Sequence, residues 1–309
     1  MKRIFLSLAI FASITAMAQD NSRTDIKSEM ATNVPSKKHD STKVWDKGGS
    51  LSLNVAQTSL SNWSGGGTDA FSVNAFINLY ANYLKNKNSW NNNLNVQYGY
   101  LKTSGLSGRK SADLIDFVSL YGHSISKKLD ASALFRIRTQ GFKGYTYGTD
   151  NAGNETKTLN STFFAPAYIT LAPGLTYKPF KNFNLFVSPI AARALVVANK
   201  QLSNQGAYGI DSGKTIKFEF GFLLNAGYTA NITKTITYSG NLELYSDYLD
   251  NPQNIYMFMT NTFAAKLTKA IAVTWNFNLA YDDHYRPVIG KGPKIQTQSI
   301  LGVGLLYNL

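Results

Sequence analysis

Two long stretches near the middle of the chain alternate between apolar and polar residues, and this feature constrains the fold more than any other. From Ile216 to Ile232 every second residue is apolar, and the residues between them are mostly polar or small. The alternation resumes at Ile236 after the short link 233–235. A period of two is typical of β-strands with one apolar face. Residues 216–248 therefore predict two long strands joined by a tight turn.

The length of these strands bears on where they fold. They exceed the five or six residues usual in a globular sheet. A tilted strand of about ten residues, rising roughly 3.3 Å per residue, crosses a hydrocarbon layer about 25 Å thick. The hairpin alone allows two interpretations, a soluble antiparallel sheet or a transmembrane β-barrel with its apolar side to lipid.

Similar alternation continues along most of the chain, although its phase is poorly defined in 114–125. The twelve candidate strands are 51–55, 71–83, 90–100, 114–125, 131–137, 163–177, 183–197, 216–232, 236–244, 255–267, 271–281 and 295–309. Pro166, Pro173 and Pro189 fall inside two of them and predict bulges or bends, because proline cannot donate to a strand ladder. Arg193 breaks the apolar phase, which predicts a register change near Pro189.

The links between these strands alternate between short and long without exception. The short links are 85–88, 126–128, 178–182, 233–235 and 268–270. The longer links are 58–69, 103–113, 143–160, 199–215, 249–254 and 282–293. A membrane barrel has short periplasmic turns and longer extracellular loops, whereas a soluble sandwich has no reason to sort its loops in this way. We therefore expect an all-β fold, a transmembrane antiparallel up-and-down β-barrel of about 12 strands, which leaves no free sheet edge.

The beginning of the chain is typical of a secretory signal peptide. Lys2 and Arg3 precede an apolar stretch, and Ala16-Met17-Ala18 is a small-x-small cleavage site. Cleavage after Ala18 would lower the formal net charge from +13 to +11, because it removes Lys2 and Arg3. A buried first strand is the alternative interpretation.

These patterns predict three segments. We expect a signal peptide at 1–18, a flexible and polar periplasmic leader at 19–43, and a barrel at 44–309 in the cell outer membrane. The leader could instead fold back as a small plug.

Lysines concentrate in the short links, where the predicted periplasmic turns meet the membrane surface. There they can contact lipid phosphates or remain hydrated. We therefore expect outer-membrane lipids as partners and no nucleic acid, despite the basic balance of the chain.

The residues that carry common catalytic chemistry are sparse. The chain has no cysteine, which excludes a lipoprotein anchor, a disulfide framework and Cys-based metal or catalytic sites. The three histidines are His39, His123 and His284. His123 lies near Ser119 and Ser124, as an outer-membrane lipid hydrolase would require, but no nucleophile motif or orienting partner surrounds it. We expect no catalytic residue, with lipid hydrolysis as the alternative.

The cluster Asp282-Asp283-His284 raises the question of a cation site. Such a cluster is more often a solvated loop than a binding site. We expect no metal and no cofactor.

The last strand places apolar residues at Leu301, Val303, Leu305, Tyr307 and Leu309. This pattern is similar to the C-terminal signal that barrel-assembly machinery reads, with Leu at the final position where an aromatic residue is usual. We expect that machinery as a partner.

Two Trp-Gly-Gly elements flank the first strand. They comprise Trp45, Gly48 and Gly49 before it, and Trp63, Gly66 and Gly67 after it. Trp prefers the lipid headgroup boundary, and Gly permits a tight chain reversal. We expect these residues, with Trp90 and Trp275, to act as interfacial anchors; an aromatic ligand platform at Trp63 is the alternative.

Several motifs together suggest a family. They are the two Trp-Gly-Gly elements, 57–62, 88–90, 164–168, 251–255 and 301–304. From about Trp45 to the C-terminus the chain resembles an uncharacterised Bacteroidetes outer-membrane β-barrel family, domain-of-unknown-function family 3078. The resemblance implies an outer-membrane barrel and carries no established substrate or site.

Charged residues on the polar phase mark the expected lumen. They are Arg136, Arg138, Glu219, Glu243, Asp247 and Asp282. They either neutralise one another as structural ion pairs or form a selectivity constriction. We expect a channel or porin-like route for small polar solutes, and the alternative is a closed barrel with a structural or surface-interaction role through loops 143–160 and 199–215. The sequence does not fix the oligomeric state.

Overall fold

The strands form one antiparallel barrel, as the alternating sequence predicts. The computed structural model describes residues 44–59, 68–268, 271–281 and 295–308. Within them, twelve strands pair in a closed ring. These strands are β1 (Trp45–Thr58), β2 (Ala70–Lys85), β3 (Asn88–Thr103), β4 (Arg109–Ser126), β5 (Leu129–Thr139), β8 (Ala167–Tyr177), β9 (Phe183–Val196), β10 (Ile216–Asn231), β11 (Ile236–Asp247), β12 (Ile255–Lys266), β13 (Ile271–Tyr281) and β14 (Gln296–Asn308). The predicted fold class is confirmed.

Neighbours in the chain are neighbours in the barrel, with one exception. β5 pairs with β8 because β6 (Gly144–Thr149) and β7 (Glu155–Ser161) form a separate hairpin between them. The ring closes where Ser50–Leu53 of β1 pair with 305–308 of β14. The sequence placed 143–160 in a long loop, and this loop contains the β6–β7 hairpin.

The outer face of the sheet is apolar and the inner face is polar, which is the arrangement that a membrane barrel requires. Large apolar side chains on the outer face are exposed, with Phe218 and Leu301 each 73% accessible. Polar side chains on the inner face are buried, including Asn95 and Asp116 at 0%. An exposed apolar band around a closed sheet is stable when lipid surrounds it. Within the described part of the chain, no helix is long and apolar enough to span a membrane.

Two of the longer loops fold against each other at the end of the barrel that carries the long links, which the sequence predicts to be the extracellular end. The short helix α1 (Lys200–Asn204) begins at Asn199, whose side chain accepts a hydrogen bond from the Leu202 amide. The buried residues between these loops and the barrel rim are Ala165, Leu195, Val197, Leu202 and Ile210. The β6–β7 hairpin and residues 197–215 are called the extracellular cap below. Because this apolar cluster joins the cap to the rim of the barrel, the cap is folded onto the barrel rather than formed by two separate loops.

The pairing of β9 is irregular, as its prolines and arginine predict. Its register shifts against β8 between Leu171 and Leu175, and against β10 between Gly221 and Leu223. The shift moves the inward phase from Ser188 to Ala191 and so carries Arg193 to the inner face. The expected register change near Pro189 is confirmed, whereas the strand predicted from residue 163 begins only at Ala167.

Gly48 and Gly49 do not form the chain reversal that the sequence suggested. Both lie inside β1, paired with Tyr80 and Leu79. A Cβ on Gly48 would lie 2.7 Å from the Tyr80 hydroxyl oxygen. That expectation was wrong, because the missing Cβ makes room for an aromatic ring on the neighbouring strand.

Candidate functional site

Five strands bring the principal charges of the interior together. Arg136 and Arg138 are two residues apart on β5, so both point inward, and Asp116 of β4 lies opposite Arg138. The Arg136 guanidinium holds both oxygens of Asp116, with Nε 2.7 Å from Oδ1 and Nη2 2.6 Å from Oδ2. This two-point contact is the strongest geometry available to an arginine and a carboxylate.

The same guanidinium also reaches across the barrel. Arg136 Nη1 lies 2.5 Å from Glu243 Oε2 on β11, and Arg138 Nη2 lies 3.6 Å from the same oxygen. β4 and β11 are five strands apart in the ring of twelve, so they lie nearly opposite each other. The chain of contacts from Asp116 through Arg136 to Glu243 therefore crosses the lumen, and we call it the ion bridge.

A second pair lies beside the ion bridge. Arg193 of β9 is opposite Glu219 of β10, and its Nε lies 2.5 Å from Glu219 Oε2. Its guanidinium carbon is 3.8 Å from the centre of the Tyr245 ring, a cation–π contact. The two groups together contain three arginines and three carboxylates, so their formal charge is zero.

Apolar side chains fill the interior next to these charges. The buried members are Leu134, Ala172, Phe186, Ala191, Leu223 and Tyr245. Val118, Leu120 and Tyr256 pack against them from β4 and β12. One side of the lumen is therefore packed like a core.

The interior wall formed by β2 and β3 presents a row of hydrogen-bonded amides. Asn78 Nδ2 donates to Asn95 Oδ1 at 2.7 Å and to Asn93 Oδ1 at 3.2 Å, and Asn95 Nδ2 donates to Asn93 Oδ1 at 2.7 Å. Gln97 continues this row, and its Oε1 is buried with no hydrogen-bond partner among the described residues. We call these four residues the amide wall.

The other predicted interior residues lie elsewhere. Asp247 is at the extracellular end of β11, where its carboxylate accepts hydrogen bonds from the backbone amides of Phe220 and Leu249 at 3.3 and 3.0 Å. Asp282 lies outside the described residues. Asp116 and Arg193 were missing from the predicted set.

The predicted tryptophan anchors that the structure describes sit on the outer face. Trp45 packs against Trp90 and Tyr83, with ring centres 6.1 and 5.3 Å away, at the periplasmic ends of their strands. Trp275 stacks on Phe263 and donates from Nε1 to Ser299 Oγ at 3.0 Å. Trp63, Gly66 and Gly67 lie outside the described residues.

His123 is also on the outer face, near the periplasmic end of β4. Its Nδ1 is 2.7 Å from Asn88 Oδ1. The hydroxyls of Ser119 and Ser124 donate to Asn92 and Asp130 instead. Among the described residues, no group of three or more His, Cys, Asp or Glu side chains is arranged to hold a metal ion.

Comparison with solved structures finds membrane barrels at low similarity. The translocator domain of the autotransporter NalP from Neisseria meningitidis is 9% identical, with 87% of this chain and 90% of that chain covered and a TM-score of 0.42. An outer membrane channel from Pseudomonas putida F1 is 10% identical, with 90% and 100% covered and a TM-score of 0.42. The NanC porin is 10% identical, with 84% and 98% covered and a TM-score of 0.38. These scores are low, so the architecture rests on this chain's own strand pairing.

Comparison with curated sequences finds no match. A family described as a protein of unknown function, DUF3078, matches residues 55–145, from the upper part of β1 to the start of β6. The motifs at 164–168, 251–255 and 301–304 lie beyond the matched segment. The resemblance to domain-of-unknown-function family 3078 is confirmed over residues 55–145.

Proposed function

We propose that this protein is an outer-membrane channel that passes small, uncharged polar solutes along the amide wall. The observation that carries the proposal is the divided interior, with a packed and charge-balanced side facing a wall of amides. Gln97 Oε1, Tyr245 OH and Thr260 Oγ1 are buried interior atoms without a hydrogen-bond partner among the described residues. Such atoms favour water or a polar solute beside them, because an unpaired buried polar atom is costly.

The charge balance of the interior supports neutral rather than ionic cargo. Each inward arginine of the ion bridge contacts a carboxylate, so a passing ion meets no net fixed charge there. An Asn or Gln side chain offers both donors and acceptors, which suits hydroxyl groups on a solute. Specificity would then come from lumen width and hydrogen bonding.

Swelling of proteoliposomes in isotonic solutions of small sugars tests this proposal. Wild-type protein should admit the smallest sugars and exclude larger ones. Gln97→Trp should abolish most of the swelling because the indole fills the space beside the amide wall. Tyr98→Trp, on the next residue and the outer face, is the matched control and should leave swelling unchanged.

A closed barrel that presents the extracellular cap is the second candidate. The buried apolar cluster that joins the cap to the rim and the ion bridge across the lumen favour it. If folded wild-type protein admits no sugar of any size, this second function replaces the channel.

The proposal includes a route to the membrane. The signal peptide would be removed after Ala18, and β14 would be read by barrel-assembly machinery. The mass of the purified protein tests the first step, since cleavage there leaves Gln19 as the first residue. Our proposal assigns no catalytic role to His123; lipid hydrolysis that disappears in His123→Ala would contradict that.

A further inference from the structure

The outer face of the barrel contains a groove that lies apart from the proposed solute path. It has a volume of about 430 Å³, within the roughly 300–1,000 Å³ of small-molecule sites. The residues that line it on β3, β4, β5 and β8 include Trp90, Ser119, Tyr121, Ala133, Phe135 and Leu171. We call it the outer groove.

The shape of the outer groove follows from strand register. Ala133 is opposite Tyr121 on β4 and Pro173 on β8, so a methyl group forms the floor between larger side chains. Phe135 and Leu171 are also opposite each other and continue the depression towards the middle of the strands.

The polar atoms in the groove already have partners. Trp90 Nε1 donates to Ser119 Oγ at 2.7 Å, and Ser119 Oγ donates to Asn92 Oδ1 at 2.8 Å. Asn92 Nδ2 donates to the Ala81 carbonyl oxygen at 3.2 Å. What remains for an occupant is aromatic and aliphatic surface, which favours hydrocarbon.

The foot of the groove is basic. The periplasmic turn between β4 and β5 contains Lys127 and Lys128, both exposed. The flanking turns add Lys87, Lys178 and Lys181, and the three turn sequences contain no Asp or Glu. Lys178 is engaged by Asp130. Lys127 and Lys128 lie in the turn that joins β4 and β5, the two strands that supply most of the groove lining. Lysines at that level attract anionic lipid headgroups.

We propose that the outer groove binds one acyl chain of an anionic phospholipid of the periplasmic leaflet, with its phosphate held by Lys127 and Lys128. Hydrocarbon surface above and positive charge below match the two parts of such a lipid. The site requires that the barrel lies in a membrane, and it is independent of whether the lumen conducts.

Native mass spectrometry of the full-length barrel folded in detergent tests this site. With phosphatidylglycerol added, the wild type should retain one lipid, and it should retain less phosphatidylcholine of the same chain length. Ala133→Phe fills the floor and should lose the retained lipid. Lys127→Ala with Lys128→Ala should lose the preference for phosphatidylglycerol.

Matched controls separate this site from general membrane affinity. Ala226→Phe adds the same ring to the outer face of β10. Lys234→Ala with Lys266→Ala removes one lysine from the β10–β11 turn and one from the end of β12. Both controls should behave as wild type. Retention of the lipid by Ala133→Phe, or equal binding of the two lipids by the wild type, would overturn the proposal. A wild-type dimer that dissociates in Ala133→Phe would also overturn the proposal, because a second copy of the chain would then occupy the groove.

Fluorescence quenching tests the same site without Ala133→Phe, in case that variant fails to fold. Brominated phosphatidylglycerol in vesicles should quench tryptophan fluorescence of the wild type more than that of Trp90→Phe, because Trp90 lines the groove. Equal fractional quenching of the two proteins would contradict the assignment.

Discussion

Arg136 is the residue on which the interior depends most. It contacts Asp116 and Glu243, and the three side chains are at most 12% exposed. Removing one member of such a group leaves a buried charge uncompensated, whereas an exposed ion pair contributes little. The two kinds of pair can be compared within this one chain.

Asp116→Ala should therefore lower the free energy of unfolding by about 3–5 kcal/mol. Asp250→Ala is the control, because Asp250 pairs with Lys217 at 3.7 Å near the surface and should cost about 0–1 kcal/mol. Urea unfolding of the barrel in lipid vesicles measures both. Equal effects would mean that the ion bridge is hydrated and weak.

Glu155 offers a pH-dependent test in the extracellular cap, outside the membrane. Hydrogen bonding from Ser107, and then from Arg109, lowers the pKa of Glu155 from 4.5 to about 2. Because the folded pKa is depressed, these contacts favour the folded cap above pH 4.5 and are lost as the pH falls towards 2. An NMR titration of the Glu155 carboxyl carbon should show the low midpoint, and Arg109→Gln should raise it. A midpoint near 4.5 in the wild type would contradict the contact.

The sequence predicted the inward position of some charged residues and missed others. Arg136, Arg138, Glu219 and Glu243 are inward as the alternation predicted. Asp116 was missed because both faces of β4 carry apolar residues, which hides the phase. Cross-lumen partners also cannot be predicted from alternation, since a period of two assigns a face and says nothing of the opposite wall.

Among the elements, β9 and its neighbours carry the largest departure from regular geometry. Gly174 lies within the β8–β9 shift and Gly221 at the β9–β10 shift. A Cβ on Gly174 would lie 2.2 Å from the Val187 carbonyl oxygen, and one on Gly221 would lie 1.8 Å from that of Ser246. Backbone cannot move aside as a flexible side chain can, so both positions require glycine.

Gly174→Ala and Gly221→Ala should each destabilise the barrel by about 1–3 kcal/mol, the usual cost of overpacking. Gly302→Ala is the control, because the nearest atom to its added methyl is 3.7 Å away. The fraction of heat-modifiable, folded protein on gels and the urea midpoint report the effect. Unchanged folding in the first two variants would show that the bulges relax freely.

The prolines and Arg193 predicted that β9 is irregular, but they did not predict where its register shifts against β8 and β10. The β6–β7 hairpin was not predicted, because 143–160 lacks sustained apolar alternation. Its strands are fixed instead by contacts with the rim, such as Arg109 with Glu155 and with the Tyr147 ring at 4.3 Å. Such contacts depend on tertiary structure, so local pattern does not reveal them.

For the whole molecule, the sequence predicted the number of barrel strands and the polarity of the two faces of the sheet. Both predictions were possible because alternating residues and alternating loop lengths reflect how a barrel crosses a membrane. The division of the lumen into a packed side and an amide wall did not follow, since it depends on how twelve inner faces meet. That division would determine what the barrel conducts, and the charge balance of the ion bridge makes it measurable.

Single-channel recording in planar bilayers under a KCl gradient tests it most directly. Wild-type protein should give small openings with little ion preference, because the interior charges cancel. Arg136→Ala with Arg138→Ala should give larger openings that favour cations, since Asp116 and Glu243 then remain uncompensated, while Arg109→Ala at the extracellular rim should resemble the wild type. Absence of openings from folded wild-type protein, or openings whose size and ion preference the double substitution leaves unchanged, would contradict the claim.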